Sequence, residues 1–282
     1  MRDLLTGLLD DLDVESAQLR TTVEGLGEDG WSLATPAPGW TVATQVAHLL
    51  WTDEVAVLAA TDSPDSKERW DEVVLEAIAD PMGYVDTAAH QVAALPRSDV
   101  LDRWAAARTQ LRETLLALPD GQRIPWFGPS MSPTSMATAR FMETWAHAMD
   151  VYDAVGARAE PSDRIRPVAH LGVRTRNYAY SVQGEEPPGE EFQVTLAAPS
   201  GDVWTWGPED APQTVTGSAY DFCLLVTQRV HRADTDLVAV GPDAEHWLTI
   251  SQAFAGPAGQ GREASGGFDT LAALAAQPPV WR

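Results

Sequence analysis

The apolar residues of the first 158 positions recur at steps of three and four, which is the spacing of amphipathic helices. The opening stripe consists of Leu4, Leu5, Leu8, Leu9, Leu12, Leu19, Val23 and Leu26. Capping residues and helix breakers then predict four more helices, over about 41–60, 67–95, 98–118 and 132–156. We expect an interruption at 81–83, where proline and glycine fall inside the third helix. The pattern indicates an antiparallel helical bundle.

The pattern changes after residue 158. Residues 158–163 read Arg-Ala-Glu-Pro-Ser-Asp, which we interpret as the junction between domains 1–158 and 159–282. Beyond it we expect a helix, a hairpin, a helix, a strand and a helix, over about 164–182, 192–206, 218–230, 237–240 and 243–254. The predicted fold class is α+β, a four-helix bundle followed by a small α+β C-terminal domain.

The charge balance argues against two classes of partner. The 282 residues include 19 basic and 41 acidic side chains, a net charge of −22, without a basic patch. Such a chain repels phosphate backbones and anionic lipid, so we expect no nucleic-acid partner and no membrane partner. The N-terminus leads directly into an acidic amphipathic helix, and no apolar run is long enough to span a bilayer. These features predict a cytoplasmic protein.

Cys223 is the one cysteine of the sequence, so no intrachain disulfide is possible and a reducing compartment suits the chain. Its neighbours Phe222, Leu224 and Leu225 are apolar. An apolar setting favours an inert core thiol over a nucleophile, which needs a positive and partly exposed environment.

Glu143 and His147 lie four residues apart in a segment without proline or glycine, so on a helix their side chains share one face. An oxygen and an imidazole nitrogen at that spacing can bind one ion. His48, on an earlier predicted helix, supplies a third ligand. Two nitrogens and one carboxylate leave coordination positions open, as in catalytic metal sites. The alternatives are a simple Glu–His helix pair and a histidine of the core.

Several residues near these ligands have two possible roles. Asp150, three residues after His147, could hold the second imidazole nitrogen and so support catalysis, or it could be a solvated helix acid. Asp53 and Glu54 are interpreted as surface charges. Four tryptophans near the ligands in sequence are candidates for substrate binding, with core packing as the alternative: Trp40, Trp51, Trp126 and Trp145.

Two segments resemble a known family. Residues 38–42, Pro-Gly-Trp-Thr-Val, followed by Val-Ala-His-Leu at 46–49, resemble the opening motif of the mycothiol-dependent maleylpyruvate isomerase N-terminal domain, a DinB-like four-helix metal-binding bundle. Residues 140–150, which contain Glu-x-x-x-His, resemble the ligand helix of that family. Residues 126–129 and 135–140 also resemble an actinobacterial subfamily of uncharacterised metal-binding proteins. The resemblance covers most of residues 1–158.

This resemblance implies a divalent ion on His48, Glu143 and His147. Zinc is the common ion of the family, and nickel or iron also suits imidazole and carboxylate ligands. The resemblance further implies mycothiol as a cosubstrate. A thiol that coordinates a cation is deprotonated at neutral pH, so the ion would supply a thiolate nucleophile.

The C-terminal half resembles the second domain of the same family at residues 224–229, a helix that ends in an arginine. The resemblance implies that Arg229 has a catalytic role in holding substrate or thiol, with a simple charge at a helix C-terminus as the alternative. Similar C-terminal segments have been linked to wyosine base formation in tRNA. The net charge of −22 argues against a tRNA partner.

The sequence leads to three functional hypotheses. The first is a thiol-dependent metalloenzyme, a transferase or an isomerase, that acts on a small electrophilic substrate. The second is a metal-dependent hydrolase that uses metal-bound water, with Asp53, Glu54 or Asp150 as general base. The third is a protein that binds a small molecule without turnover. The expected partners are a small-molecule substrate and a low-molecular-weight thiol, and both a monomer and a homodimer remain open.

Overall fold

The computed structural model describes residues 2–119 and 121–265. The chain divides into two compact units, Met1–Ala159 and Glu160–Arg282, which we call the N-terminal and C-terminal units. The division falls within the junction that the sequence predicts over 158–163, one residue beyond the predicted domain boundary between 158 and 159. The first unit is mostly helical and the second contains a mixed sheet with helices, so the fold class is α+β, as predicted. Among the described residues, no helix combines the length and apolar character needed to cross a bilayer.

The N-terminal unit is built around four long helices. Its elements are α1 (Arg2–Glu24), α2 (Glu28–Trp31), α3 (Val42–Ala60), α4 (Pro64–Ala79), α5 (Tyr84–Ala93), α6 (Arg97–Ala117) and α7 (Pro133–Val155). Helices α1 and α3 each pack against both α6 and α7, which forms the four-helix bundle, and α5 lies on α3. The short α2 is not among the predicted elements.

Capping residues define the two helices that carry the candidate ligands. Thr41 and Thr44 form a capping box at the start of α3. At the start of α7, Ser132 Oγ accepts the amide N–H of Ser135 at 3.0 Å. Gly156 ends α7 in a left-handed conformation with a φ of 67°. Both helices begin and end close to their predicted limits because these local signals are strong.

The helix expected over 67–95 is two helices, α4 and α5. The break includes Pro81 and Gly83, and Asp80 Oδ1 accepts the Gly83 amide N–H at 2.9 Å. This side-chain contact satisfies a backbone donor that the interrupted helix leaves unpaired. The expected interruption at 81–83 is therefore confirmed.

Helix α3 is buried almost all the way round, because it packs against α5, α6 and α7. The interpretation of Asp53 as a surface charge was wrong: its side chain is 1% exposed and lies 2.6 Å from the guanidinium of Arg108 on α6. Burial raises the pKa of Asp53, against the attraction of Arg108 and Arg140. Burial also lowers the pKa of Arg108. The sequence pattern of α3 alone could not reveal that Arg108 on α6 pairs with this carboxylate.

The C-terminal unit contains a four-stranded mixed sheet in the order β2-β1-β3-β4. Its strands are β1 (Gln193–Ala197), β2 (Val203–Trp206), β3 (Thr214–Ser218) and β4 (Val238–Val240). The predicted hairpin is the antiparallel pair of β1 and β2, while β1 and β3 are parallel and β3 and β4 antiparallel. The helices are α8 (Arg166–Arg174), α9 (Arg176–Val182), α10 (Ala219–Val226) and α11 (Pro242–Ile250).

The sequence missed some of these elements. Strand β3 reads Thr-Val-Thr-Gly-Ser and offers too little alternation of apolar and polar residues to predict a strand. The helix expected over 164–182 is divided at Thr175 into α8 and α9. Helices α10 and α11 end four residues earlier than predicted. Beyond α10, Gln228 adopts a left-handed φ of 59°, through which an α-helix cannot continue.

Cys223 lies in α10 with no exposed surface. Its Sγ lies 3.6 Å from the carbonyl oxygen of Ile165. Burial raises the pKa of this thiol well above its usual value, so the reactive thiolate is suppressed. The predicted core position of Cys223 is therefore confirmed. Its lack of reactivity stays a prediction.

We expect Cys223 to be unreactive in the folded protein. Ellman's reagent should release no thionitrobenzoate from the native chain and one equivalent after denaturation in guanidinium, because the chain has a single cysteine. Ser98→Cys, at an exposed position, is the positive control and should react without denaturation. Rapid labelling of the native wild type would contradict the burial.

We also expect the loss of one member of the Asp53–Arg108 pair to destabilise the protein more than the loss of both. Arg108→Met leaves a buried carboxylate without its nearest cation, which should lower the free energy of unfolding by about 3–5 kcal/mol. Adding Asp53→Asn should restore most of that loss, as measured by urea denaturation.

The exposed pair of Arg103 and Glu54, 2.9 Å apart, provides the matched control. Arg103→Met should cost less than about 1 kcal/mol, because solvent screens this pair. Additive effects of the two core substitutions would show that Asp53 and Arg108 do not depend on each other.

Candidate metal centre

His48 on α3 and Glu143 and His147 on α7 meet in the N-terminal unit. Glu143 Oε2 lies 3.4 Å from His48 Nε2 and 3.2 Å from His147 Nε2. The three ligand atoms all lie within 4.8 Å of one another. Across residues 2–119 and 121–265, this is the one group of three histidine, cysteine or acidic side chains with such a geometry. The structure thus brings together the three residues that the sequence singles out.

The separations suit ligands of a single ion. Zinc bonds of about 2.0–2.2 Å in a tetrahedral arrangement place the ligand atoms about 3.4 Å apart. The carboxylate of Glu143 lies close to that distance from both imidazoles. Three protein ligands leave at least one position for an exogenous ligand, which distinguishes catalytic sites from closed structural ones.

The centre is largely withdrawn from water. The side chain of His48 is 8% exposed, and its Nδ1 finds no hydrogen-bond partner among the described residues. Burial opposes the ionisation of Glu143, but hydrogen bonds from His147 and His48 and the charge of Arg140 hold its pKa well below the usual value. The centre therefore directs one carboxylate and two imidazoles at a common point. This donor set fits a divalent cation.

The second nitrogen of His147 faces Gln45 on α3. His147 Nδ1 donates a hydrogen bond to Gln45 Oε1, and Gln45 Nε2 donates to Asp150 Oδ2 at 3.3 Å. Asp150 is buried, so it is not a solvated acid, and it reaches the imidazole through the Gln45 amide. Gln45 was not among the predicted site residues. Its position three residues before His48 is the signal that could have identified it, because that spacing shares a helix face.

Two of the predicted tryptophans lie against the imidazoles. The Trp40 ring is 5.7 Å from that of His147 and nearly parallel to it, with an interplanar angle of 20°. The same indole lies 5.4 Å from the ring of His48. Trp51, one turn after His48 on α3, lies 6.0 Å from the same imidazole. Trp40 and Trp51 thus border the candidate metal centre.

The roles of the other two tryptophans, Trp126 and Trp145, in substrate binding stay predictions. Trp126 stacks on Trp70 at 6.0 Å, and Trp145 is buried in the core. The aromatic surface beside Trp51 is continued instead by Tyr84, at 5.5 Å, and Phe127, at 6.5 Å. Sequence reasoning missed both rings because each lies on a separate segment and approaches Trp51 only in the folded chain.

Arg229, the predicted catalytic arginine, belongs to the C-terminal unit. Helix α10 ends at Val226, so Arg229 lies in the turn that follows the helix rather than on it. Its guanidinium donates a hydrogen bond to the carbonyl oxygen of Thr227. The catalytic role of Arg229 stays a prediction.

Comparison with known proteins extends these observations. Residues 12–152 match the family described as the mycothiol maleylpyruvate isomerase N-terminal domain. Residues 188–240 match a second family, described as wyosine base formation. An uncharacterised protein of Mycobacterium tuberculosis strain H37Rv is 54% identical over 252 residues, which cover 89% of this chain and 96% of that protein.

Two solved structures have a similar fold. One is the mycothiol-dependent maleylpyruvate isomerase, with a TM-score of 0.56 and 15% identity over 83% of this chain and 92% of that chain. The other is a histidine-to-alanine mutant of such an isomerase, with a TM-score of 0.54 and 14% identity over 80% and 89% of the two chains. At this level of identity the likeness shows the fold alone. The match over residues 12–152, half of the chain, shows that the protein belongs to the mycothiol maleylpyruvate isomerase N-terminal domain family.

Proposed function

We propose that this protein is a divalent-metal-dependent enzyme that uses a low-molecular-weight thiol, mycothiol, as its cosubstrate. The centre of His48, Glu143 and His147 carries the proposal, because its three converging donors leave coordination positions open. A solved enzyme of similar fold is described as mycothiol-dependent, which supports the choice of thiol. A bound cation, preferably zinc with nickel or iron as alternatives, would hold the thiol sulfur as a thiolate at neutral pH.

The side chains around the centre would position the reactants. The negative charge of Glu143 would partly neutralise the cation. The two imidazoles, on α3 and α7, would hold the cation in place beside it. The rings of Trp40 and Trp51 would cover the apolar part of a small electrophilic substrate and keep water away from it. Addition of the thiolate to an electrophilic carbon would give a conjugate, as in a transferase. Bond rotation and elimination of the thiol would instead give an isomerised product.

Two further residues belong to this proposal with different roles. Arg229 would hold the substrate or the thiol through its guanidinium. Asp150 would support the imidazole of His147 from behind, because the Gln45 amide lies between them. Asp150 is therefore proposed as a positioning residue and not as a group that contacts substrate.

The hydrolase alternative requires a general base beside the metal, and the acids that the sequence offers are engaged elsewhere. Asp53 and Glu54 each pair with an arginine, at 2.6 and 2.9 Å respectively. Asp150 accepts a hydrogen bond from the Gln45 amide at 3.3 Å. These contacts favour the thiol-dependent enzyme over a hydrolase.

We propose small-molecule partners and no nucleic-acid partner, although residues 188–240 match the family described as wyosine base formation. That segment contains eight acidic and two basic side chains. A surface of this composition repels the phosphates of tRNA, and its two arginines offer few contacts for counterion release. The charge of the segment thus agrees with that of the whole chain.

Metal content tests the centre itself. We expect about one zinc ion per chain in the wild type and none in His48→Ala or His147→Ala, because two remaining ligands bind too weakly to survive dialysis. Inductively coupled plasma mass spectrometry measures the ion, and circular dichroism checks the fold. His90→Ala, an exposed histidine on α5, is the matched control and should keep its metal. Equal metal content in the wild type and the three variants would show that His48 and His147 do not bind the metal, and would contradict the proposed centre.

Cobalt(II) substitution tests the thiol. A sulfur atom bound to cobalt(II) gives a charge-transfer band in the near ultraviolet, so mycothiol should produce this band with the cobalt-loaded wild type. Cys223→Ser should give the same band, since the buried protein thiol is not its source. His147→Ala should give none. Cobalt that binds the wild type without a band on addition of mycothiol would overturn the thiol assignment while leaving the metal centre intact.

A further inference from the structure

The C-terminal unit contains a cavity that the proposed function does not use. Its volume is about 810 Å³, within the range of about 300–1,000 Å³ that is typical of small-molecule sites. Its walls come mainly from the end of α10 and the turn after it, from α11 and from residues 259–262. Every lining residue falls between Gln183 and Arg262, so the cavity is separate from the candidate metal centre.

The charges on the cavity wall are mainly positive, in contrast to those of the whole chain. Arg232 and Arg262 are both half-buried and line the cavity together with one carboxylate, that of Glu245. His246 also lines it, with its Nε2 2.6 Å from Glu185 Oε2. The whole chain has a net charge of −22. A local excess of positive charge on a concave surface favours an anionic ligand.

Arg232 is the cation best suited to bind such a ligand. Its Nη1 donates a hydrogen bond to Thr235 Oγ1 at 3.0 Å, and it forms no ion pair with the described residues. A guanidinium carries five N–H donors in a planar fork, so most of them remain for a ligand. The fork matches two oxygens of a carboxylate or a phosphate.

Two neutral side chains add hydrogen-bond donors to the cavity wall. Ser251 lines the cavity and is only 4% exposed, and its Oγ has no hydrogen-bond partner among the described residues. A buried hydroxyl in this condition costs free energy unless a ligand bonds to it. His231 Nδ1 accepts the amide N–H of Ala233 at 3.0 Å, so its neutral ring carries the proton on Nε2. Both residues therefore offer a proton to an anionic oxygen.

The backbone beside the cavity is strained. Gln228, which lines it, has a φ of 59°, a conformation that is uncommon for a residue with a side chain and is often associated with functional sites. Its side-chain amide ties down the glycine-rich segment 256–261. Oε1 accepts the Gly261 N–H at 3.3 Å, and Nε2 donates to the carbonyl oxygen of Ser251 at 3.4 Å. A Cβ at Gly259 would clash with the same amide, so this close approach favours glycine.

We propose that this cavity is a second small-molecule site, which binds an organic anion through Arg232. The charged group of the ligand, a carboxylate or a phosphate ester, bonds to the guanidinium and to the hydroxyl and imidazole donors beside it. The rest of the ligand contacts apolar side chains that also line the cavity, those of Leu225, Leu248 and Ile250. The site goes beyond the proposed function, since it requires neither the metal nor the thiol.

Saturation-transfer difference NMR titrations test the class of ligand. Benzoate and phenyl phosphate carry the same ring with different anionic groups, and benzyl alcohol is their neutral counterpart. We expect saturable binding of at least one of the anions to the wild type, with a Kd below about 1 mM. Benzyl alcohol should bind at least about tenfold more weakly, because it lacks the charge that meets the guanidinium. Failure of both anions to bind, or equal binding of the alcohol, would overturn the proposal.

Two variants test the location of the site. Arg232→Gln removes the charge and should weaken anion binding by about 10–100-fold, whereas Arg232→Lys should lose less. Thr249 is an exposed residue of α11 that lines the cavity, so Thr249→Trp should block the site and Thr249→Ala should not. Because this position is exposed, the test holds even if Arg232→Gln does not fold by circular dichroism. Unchanged affinity in folded Arg232→Gln or in Thr249→Trp would overturn the assignment.

Two further variants are controls. Arg174→Gln changes an exposed arginine of α8 that does not line the cavity, so it should bind the anions like the wild type. An equal loss in this variant would show a response to net charge and would overturn a specific role for Arg232. His48→Ala should also retain the wild-type affinity, and its loss of binding would assign the anion to the metal centre and overturn the proposal. A wild type without metal that still binds the anion would refute the proposed function alone.

Discussion

The arrangement of the N-terminal unit depends on the contact of one buried carboxylate, Glu143, with two imidazoles, His48 and His147, between α3 and α7. Withdrawing an ionised group from water is costly unless charges and hydrogen bonds compensate. Glu143 receives that compensation from His48 across the helix interface, from His147 on its own helix and from Arg140 nearby. The contacts exist only in one relative position of the two helices. The packing of the bundle and the geometry of the centre therefore determine each other.

Polar side chains continue from this centre along both helices. Gln45 and His48 on α3 face Glu143, His147 and Asp150 on α7, and the spacings of three and four residues keep each set on one face. When one member of a buried polar network loses its partner, its neighbours lose favourable interactions as well. The free-energy cost therefore exceeds that of a single contact. Mutual satisfaction of these groups thus favours a single alignment of α3 and α7, whereas apolar packing alone would tolerate small shifts.

The fold tolerates wide divergence in sequence. The solved isomerase has a TM-score of 0.56 with only 15% identity, since a helical bundle needs apolar positions at the correct spacing rather than particular residues. The mycobacterial relative is 54% identical, and the aligned residues cover 96% of that protein and 89% of this chain. It therefore contains a counterpart of both units. The candidate ligands of this chain are a few polar side chains on that scaffold, and their local surroundings decide what each of them can do.

The sequence by itself determined the class of the fold, the starts of α3 and α7, and the candidate ligands, because helix caps and i,i+4 spacing are local properties. It did not determine that β3 joins the sheet, since a strand with one buried apolar residue is defined by its neighbours and not by its own pattern. It also misplaced Asp53 and missed Gln45, Tyr84 and Phe127. Each of these depends on contacts between segments far apart in the chain. Only the tertiary structure decided them, because the burial of a charge and the partner of a hydrogen bond are fixed by what lies across the interface, which a one-dimensional pattern does not contain.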